Sequence, residues 1–167
     1  MFTAEFVKMM NGNLGEERAS SVLASLEENP VISVRVNPFK ISLERLREHF
    51  GPLAGEAVPW AADEAFYLTE RPSFTLDPLF HAGAYYVQEA SSMFVGQLFD
   101  TAAGELGEEA LNVLDLCAAP GGKTTQILSH LKGNGHLVAN EVIGSRVPIL
   151  AGEPTQMGDT QLQKKLL

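Results

Sequence analysis

A chain of 167 residues that is 45% apolar and 20% charged has the balance of a soluble globular protein, with length for one domain or for a small domain and part of another. No apolar run reaches the roughly 18 residues of a membrane span, and the opening MFTAEFVKMM lacks the apolar core of a signal peptide. The net charge of −9 argues against a generally basic nucleic-acid-binding surface.

One cysteine, Cys117, excludes an internal disulfide and suits a reducing, cytoplasmic setting. With His49, His81, His130 and His136 scattered along the chain, it offers no metal-ligand spacing. Arg35, Lys40, Arg45 and Arg47 form the densest basic cluster, but Glu44 and Glu48 sit among them. A solvated helix face with i,i+3 and i,i+4 ion pairs explains them as well as a local basic groove does.

Phe2, Phe6 and Met10 recur at a spacing of four and predict a short amphipathic helix, broken by the run Asn11 to Gly15. Ala19, Val22, Leu23 and Leu26 follow the i, i+3, i+4, i+7 pattern and predict a helix over Glu16 to Glu28, ended by Asn29-Pro30. Val31 to Val36 alternates: Ile32, Val34 and Val36 share one face, Ser33 and Arg35 the other, as in a strand with one wet side. Ser42 is placed to N-cap a helix over Leu43 to Phe50, with Gly51-Pro52 as its stop. Ala57 to Trp60 and Ala65 to Thr69 read as short strands, and Trp60 as a core or interface aromatic rather than a base-stacking one. Asp77-Pro78 begins a turn, Tyr85-Tyr86-Val87 is extended, and Glu89 to Phe99 is a helix whose Ala90, Met93, Phe94 and Leu98 face a core. The acidic, glycine-containing run Thr101 to Ala110 reads as a surface connection.

The most informative stretch follows, Asn112 to Thr124, NVLDLCAAPGGKT. It begins as a short buried strand over Asn112 to Leu116. The small-residue loop Cys117-Ala118-Ala119-Pro120-Gly121-Gly122 comes next, and then a helix with Thr124, Ile127, Leu128 and Leu131 on one face. Glycines let a backbone approach a ligand closely, and the free N–H groups at a helix start favour negative charge. A second strand is legible over His136 to Glu141. Its carboxylate falls nineteen residues past Gly122, the interval at which βαβ nucleotide-binding units place an acceptor for ribose hydroxyls. No glycine triplet matches G-x-G-x-x-G. Gly122-Lys123-Thr124 matches the end of a phosphate loop, but Cys117 stands where that motif needs its first glycine.

DLCAAPGGKT resembles the S-adenosylmethionine loop of the RNA cytosine-5 methyltransferases of the NOL1/NOP2/Sun or RsmB/RsmF group. Three other parts resemble the same family in order: the S-x-R-x-N run at Ser33 to Asn37, the segment Tyr85 to Met93, and the pair Glu141 and Arg146 after the second strand. The likeness covers residues 1 to 151 and is nearest the bacterial RsmF branch in the opening helices. It implies an α/β chain: a small N-terminal domain followed by an incomplete Rossmann-like class I methyltransferase domain. The implied boundaries are 1–80 for an RNA-binding-like domain, 81–110 for a connecting helix and linker, 111–151 for a partial βαβ unit and 152–167 for a tail outside the family. The two strands of that unit are expected to be parallel.

The resemblance further implies S-adenosylmethionine as cofactor, held by Cys117, Ala118, Ala119, Pro120, Gly121, Gly122, Lys123, Glu141 and Arg146. It implies RNA, in this branch ribosomal RNA, as partner, met by Arg35 and Asn37 in a cleft between the domains. No membrane or metal partner is implied. The family's chemistry uses two cysteines from later motifs, one adding to C6 of cytosine and one assisting release. Cys117, by its matched position, lines the cofactor instead, so no catalytic residue is expected here. Residues 111 to 167 would then hold too few strands for a full core, and would be loosely held or associate with another chain. A non-catalytic RNA-binding module in residues 1 to 80 and a degenerate phosphate-loop protein remain the alternatives.

Overall fold

The computed structural model describes residues 2–107 and 110–150. The reading of 152–167 as a tail outside the family lies outside the described residues. By compactness the chain forms two units, 1–31 and 32–167.

The first unit is a helical hairpin of α1 (Ala4–Leu14) and α2 (Glu16–Glu27). Thr3 caps α1, its hydroxyl accepting from the Phe6 amide at 3.3 Å. The helix does not stop at Asn11 as its polar residues suggested. It runs on to Leu14, and the reversal falls on Gly15, whose φ of 78° suits a residue without Cβ.

The second unit opens with a four-stranded antiparallel sheet in the order β2-β3-β1-β4, made of β1 (Ile32–Val36), β2 (Ala54–Ala57), β3 (Ala65–Leu68) and β4 (Tyr85–Val87). The sheet thus reaches past residue 80, because β4 pairs with central β1. The strand expected at Ala57 to Trp60 forms three residues earlier, where it pairs with β3 around an irregularity between Ala54 and Ala57. α3 (Leu43–Phe50) starts where expected, with Ser42 Oγ accepting from the Arg45 amide. It lays Leu46 and Phe50 on Val34, Val36, Phe66 and Tyr85 to make the first core.

The opposite face of this sheet is covered as well. β1 has no wet side: Ser33 is 2% exposed and Arg35 0%. The alternation was right, but polarity on the second face marks a polar interior contact rather than water. α5 (Ala90–Leu106) and α6 (Gly122–Leu131) supply the cover. α5 continues well beyond Phe99, so most of the expected surface connection is helix. Trp60 donates from Nε1 to the Ala90 carbonyl at 2.6 Å and meets Phe94 edge-on, anchoring the start of α5.

β5 (Leu111–Asp115) and β6 (Gly135–Ala139) are parallel neighbours, as expected, with Val113 opposite Leu137. α6 links them and is buried from Thr124 through Ser129 and at Leu131. Its Ile127, Leu128 and Leu131 pack on Leu137 and Ala139 in a second core, while its polar side meets β1. α6 is thus covered on both its apolar and its polar side. β5 is not the buried strand expected over Asn112 to Leu116: Leu114 and Leu116 are 58% and 64% exposed on the far face of the pair. Among the described residues no helix is long and apolar enough to cross a membrane.

Candidate cofactor site

The loop Cys117–Gly121 is organised by Asp115, the last residue of β5. One carboxylate oxygen accepts from the Cys117 amide at 3.3 Å and the other from the Thr124 hydroxyl at 2.7 Å, so a single side chain ties both ends of the loop. The Ala118 amide donates to the Asn140 carbonyl at 2.9 Å and Asn140 Nδ2 to the Leu116 carbonyl, stitching the loop to the end of β6. The Ala119–Pro120 peptide is cis. Gly121 takes φ 126° as the N-cap of α6, a conformation a Cβ would strain.

A cavity of about 220 Å³ opens beside the loop. Cys117, Ala118, Ala119, Pro120, Gly122 and Lys123 line one wall, and Tyr86, Val87, Gln88, Glu89 and Ser92 the other. Gly122 is what lets the walls approach, since a Cβ there would lie 3.3 Å from the Tyr86 ring and 3.5 Å from the Gln88 amide carbon. Of the nine sequence candidates the cavity gathers six. Glu141 lies beyond it, its side chain 3% exposed, with Oε1 accepting from the Ile143 amide at 2.8 Å and Oε2 3.6 Å from Arg146. Arg146 in turn donates to the Ala119 carbonyl at 2.5 Å, so it ties the acidic end of β6 back to the loop.

Arg35 and Asn37 are not where the expectation put them. Both are 0% exposed, and neither meets a solvent-filled cleft. Asn37 Nδ2 donates to the Gly83 carbonyl and its Oδ1 accepts from the Phe39 amide, closing the turn after β1. Arg35 Nε donates to Gln88 Oε1 at 2.9 Å and Nη2 to Thr125 Oγ1 at 2.8 Å. Burial lowers its pKa to about 10, with the charge of Glu64 opposing the fall, so it stays a cation at neutral pH. The rest of the basic cluster is dispersed too. Arg47 donates to the Gly55 carbonyl and lies 4.8 Å over the Phe66 ring, and Lys40 donates to the Ala82 carbonyl.

The polar contact continues through Gln126, whose Nε2 donates to Glu64 Oε1 at 2.6 Å and to the Met93 carbonyl at 2.9 Å. His130 lies between two carboxylates, 2.7 Å from Asp100 Oδ1 and 3.3 Å from Glu64 Oε2. The hydrogen bond to Glu64, with that to Asp100, raises its pKa although burial opposes this. Burial would raise Glu64, but the His130 hydrogen bond and the Arg35 charge outweigh it and its pKa falls. A histidine raised on folding stabilises fully below its unfolded value of about 6.5 and loses that contribution as pH rises through the folded value. The melting temperature should therefore fall as pH rises from about 6.5 through the neutral range. His130→Gln should flatten that fall, which a series of thermal melts would measure.

These residues were missed in the sequence, though a signal existed. α6, GKTTQILSHL, carries one charged residue, Lys123, and short neutral polar residues where a surface helix would carry charges. Such a helix is buried on its polar side as well as its apolar side.

A small antiparallel α/β domain joined to a parallel strand–small-residue loop–helix–strand unit defines a class: an N-terminal domain followed by part of a Rossmann-like methyltransferase fold. The family model for the N-terminal domain of 16S rRNA methyltransferase RsmF matches residues 2–90. The model for 16S rRNA methyltransferase RsmB/F matches 105–165, further along the chain than the likeness read from its motifs. The chain belongs to this 16S rRNA methyltransferase family, in its RsmF branch.

Among its relatives, the ribosomal RNA small subunit methyltransferase F of Pectobacterium carotovorum is 42% identical over 137 residues, matching 75% of this chain and 26% of that protein. The protein of the same name from Shewanella halifaxensis is 33% identical over 167 residues, 94% of this chain and 35% of its own length. This chain thus spans about a quarter to a third of the curated relatives. The crystal structure of a methyltransferase homologue from Pyrococcus horikoshii superposes with a TM-score of 0.78 at 30% identity, over 99% of this chain and 52% of that one.

Proposed function

We propose that this chain carries the RNA-side domain and the first cofactor-binding unit of an S-adenosylmethionine-dependent rRNA cytosine-C5 methyltransferase. The observation that supports this best is the cavity between the Cys117–Lys123 loop and the Tyr86–Ser92 wall, at the N-terminus of α6. A glycine-opened helix start beside an exposed lysine suits the carboxylate end of an amino-acid-like ligand. The carboxylate of Glu141 suits ribose hydroxyls, and the exposed Val142 and Ile143 beside it suit a flat apolar base. S-adenosylmethionine has these parts in this order. When bound, it supplies an electrophilic methyl group.

In this reading Cys117 to Lys123 hold the ligand, Glu141 orients its ribose, and Arg146 fixes both by tying Glu141 to Ala119. Cys117 is exposed at the cofactor loop, and thiol addition to a cytosine would fall to residues outside these 167. The chain alone is accordingly expected to bind cofactor without methylating RNA, in the cytoplasm, with ribosomal RNA as partner.

Calorimetric titration with S-adenosylmethionine, ATP and a 16S rRNA fragment tests the proposal. Saturable binding of S-adenosylmethionine but not ATP is expected; ATP binding alone would favour the degenerate phosphate loop, and RNA binding alone a non-catalytic module. Glu141→Gln should weaken S-adenosylmethionine binding by about 1–3 kcal/mol, the scale of a lost charge-assisted hydrogen bond. An unchanged dissociation constant for that variant would remove Glu141 from the site.

A further inference from the structure

Among the described residues Arg35 is the largest fully buried side chain, and its guanidinium bonds a group on each wall of the cavity. Nε holds Gln88, which lines the wall opposite the loop. Nη2 holds Thr125 Oγ1 at 2.8 Å and lies 3.4 Å from the Gly122 carbonyl; the Thr125 hydroxyl itself donates to that carbonyl at 3.1 Å. Three groups thus converge at the point where the glycine loop becomes α6. Glycine and small-residue loops have little rigidity of their own, whereas a planar guanidinium fork anchored in the centre of a sheet has a great deal. The pairing of Arg35 with Tyr86 and Ala65 on neighbouring strands fixes its root.

We propose that Arg35 is a positioning residue for the cavity beside the Cys117–Lys123 loop: it clamps Gln88 on one wall and Gly122–Thr125 on the other, setting the cavity's width and shape. Burial of a cation with one amine, Nη1, left without a hydrogen-bond partner is costly, and a site that needed only stability would be served by apolar packing. The fork geometry is what apolar packing cannot reproduce. Lysine would keep the charge but could not bridge the two walls.

The inference rests on the cofactor reading for its binding measurement only. In the 167-residue chain, Arg35→Lys and Thr125→Val are compared with Ser129→Ala, which removes another buried α6 hydroxyl whose bond is to the Thr125 carbonyl alone. The NMR backbone order parameters of Gly121, Gly122 and Lys123 are expected to fall from about 0.85 to below about 0.6 in the first two variants and to stay high in the third. The dissociation constant for S-adenosylmethionine is expected to rise about tenfold in Thr125→Val. Should Arg35→Lys fail to fold, Thr125→Val carries the test. Order parameters equal to those of Ser129→Ala would overturn the proposal, as would a loosened loop with unchanged affinity. Absence of S-adenosylmethionine binding in the wild type would instead sink the cofactor reading, and the order parameters would still decide whether Arg35 holds the loop.

Discussion

Arg35→Met should destabilise the chain by about 3–5 kcal/mol in urea denaturation, the cost of removing one member of a buried, hydrogen-bonded charge network. The loss has identifiable parts. Gln88 Oε1 and Thr125 Oγ1 each lose a buried donor, and Glu64 keeps its His130 hydrogen bond but loses the Arg35 charge that also lowers its pKa. A methionine of similar reach fills the volume, so the effect reports on the polar contacts rather than on a cavity. The same variant separates the buried strut from the RNA contact that the S-x-R-x-N run implies. Unchanged stability together with weakened RNA binding would return Arg35 to a nucleic-acid surface.

Phe66→Ala should cost a similar amount, about 3–5 kcal/mol, for the different reason of an unfilled cavity. Phe66 is 0% exposed at the centre of the small sheet, edge-on to Phe50 with centroids 5.8 Å apart and capped by the Arg47 guanidinium. Its loss removes apolar burial, an aromatic pair and a cation–π contact together. Because this core lies on the α3 side of the sheet, the cofactor loop should keep its geometry in whatever fraction of the chain remains folded. A loss below about 1 kcal/mol would mean that α3 can repack over β1 and β3 without the ring.

The elements that repeat with one clean period were legible in the sequence. α2, α3, β1 and the parallel pair β5 and β6 fall within a residue or two of their expected places, because apolar spacing, the Ser42 cap and the glycine loop all agree there. What was not legible is the interior made from polar residues. The alternation of Ile32 to Val36 says that Ser33 and Arg35 share a face, but not whether water or α6 covers it. The partners that decide this, Gln88, Thr125, Gln126 and Glu64, lie 29 to 91 residues away in the chain. Asp115 was missed although its partners are near in the chain: it lay inside the strand read over Asn112 to Leu116, and only the folded loop shows it joining Cys117 to Thr124. The extra turns of α5 were missed because Gly104 and Glu105 make Thr101 to Leu106 look like a linker, and these turns stay largely exposed in the fold, with no apolar stripe to mark them. The loop itself was read correctly as a local object, since its glycines and its place between strand and helix are local facts. The wall opposite it, Tyr86 to Ser92, was recognised as a family segment without a role, because only the tertiary fold sets it against the loop.

In the proposed function the Cys117–Lys123 loop holds S-adenosylmethionine. Ultraviolet photolabelling of the 167-residue chain with methyl-tritiated S-adenosylmethionine, followed by peptide mapping, tests it most directly. Label is expected in the peptides that contain Tyr86 to Ser92 and Cys117 to Lys123, suppressed by excess S-adenosylhomocysteine and untouched by ATP. Label that ATP suppresses, or label confined to peptides outside both walls of the cavity, would contradict it.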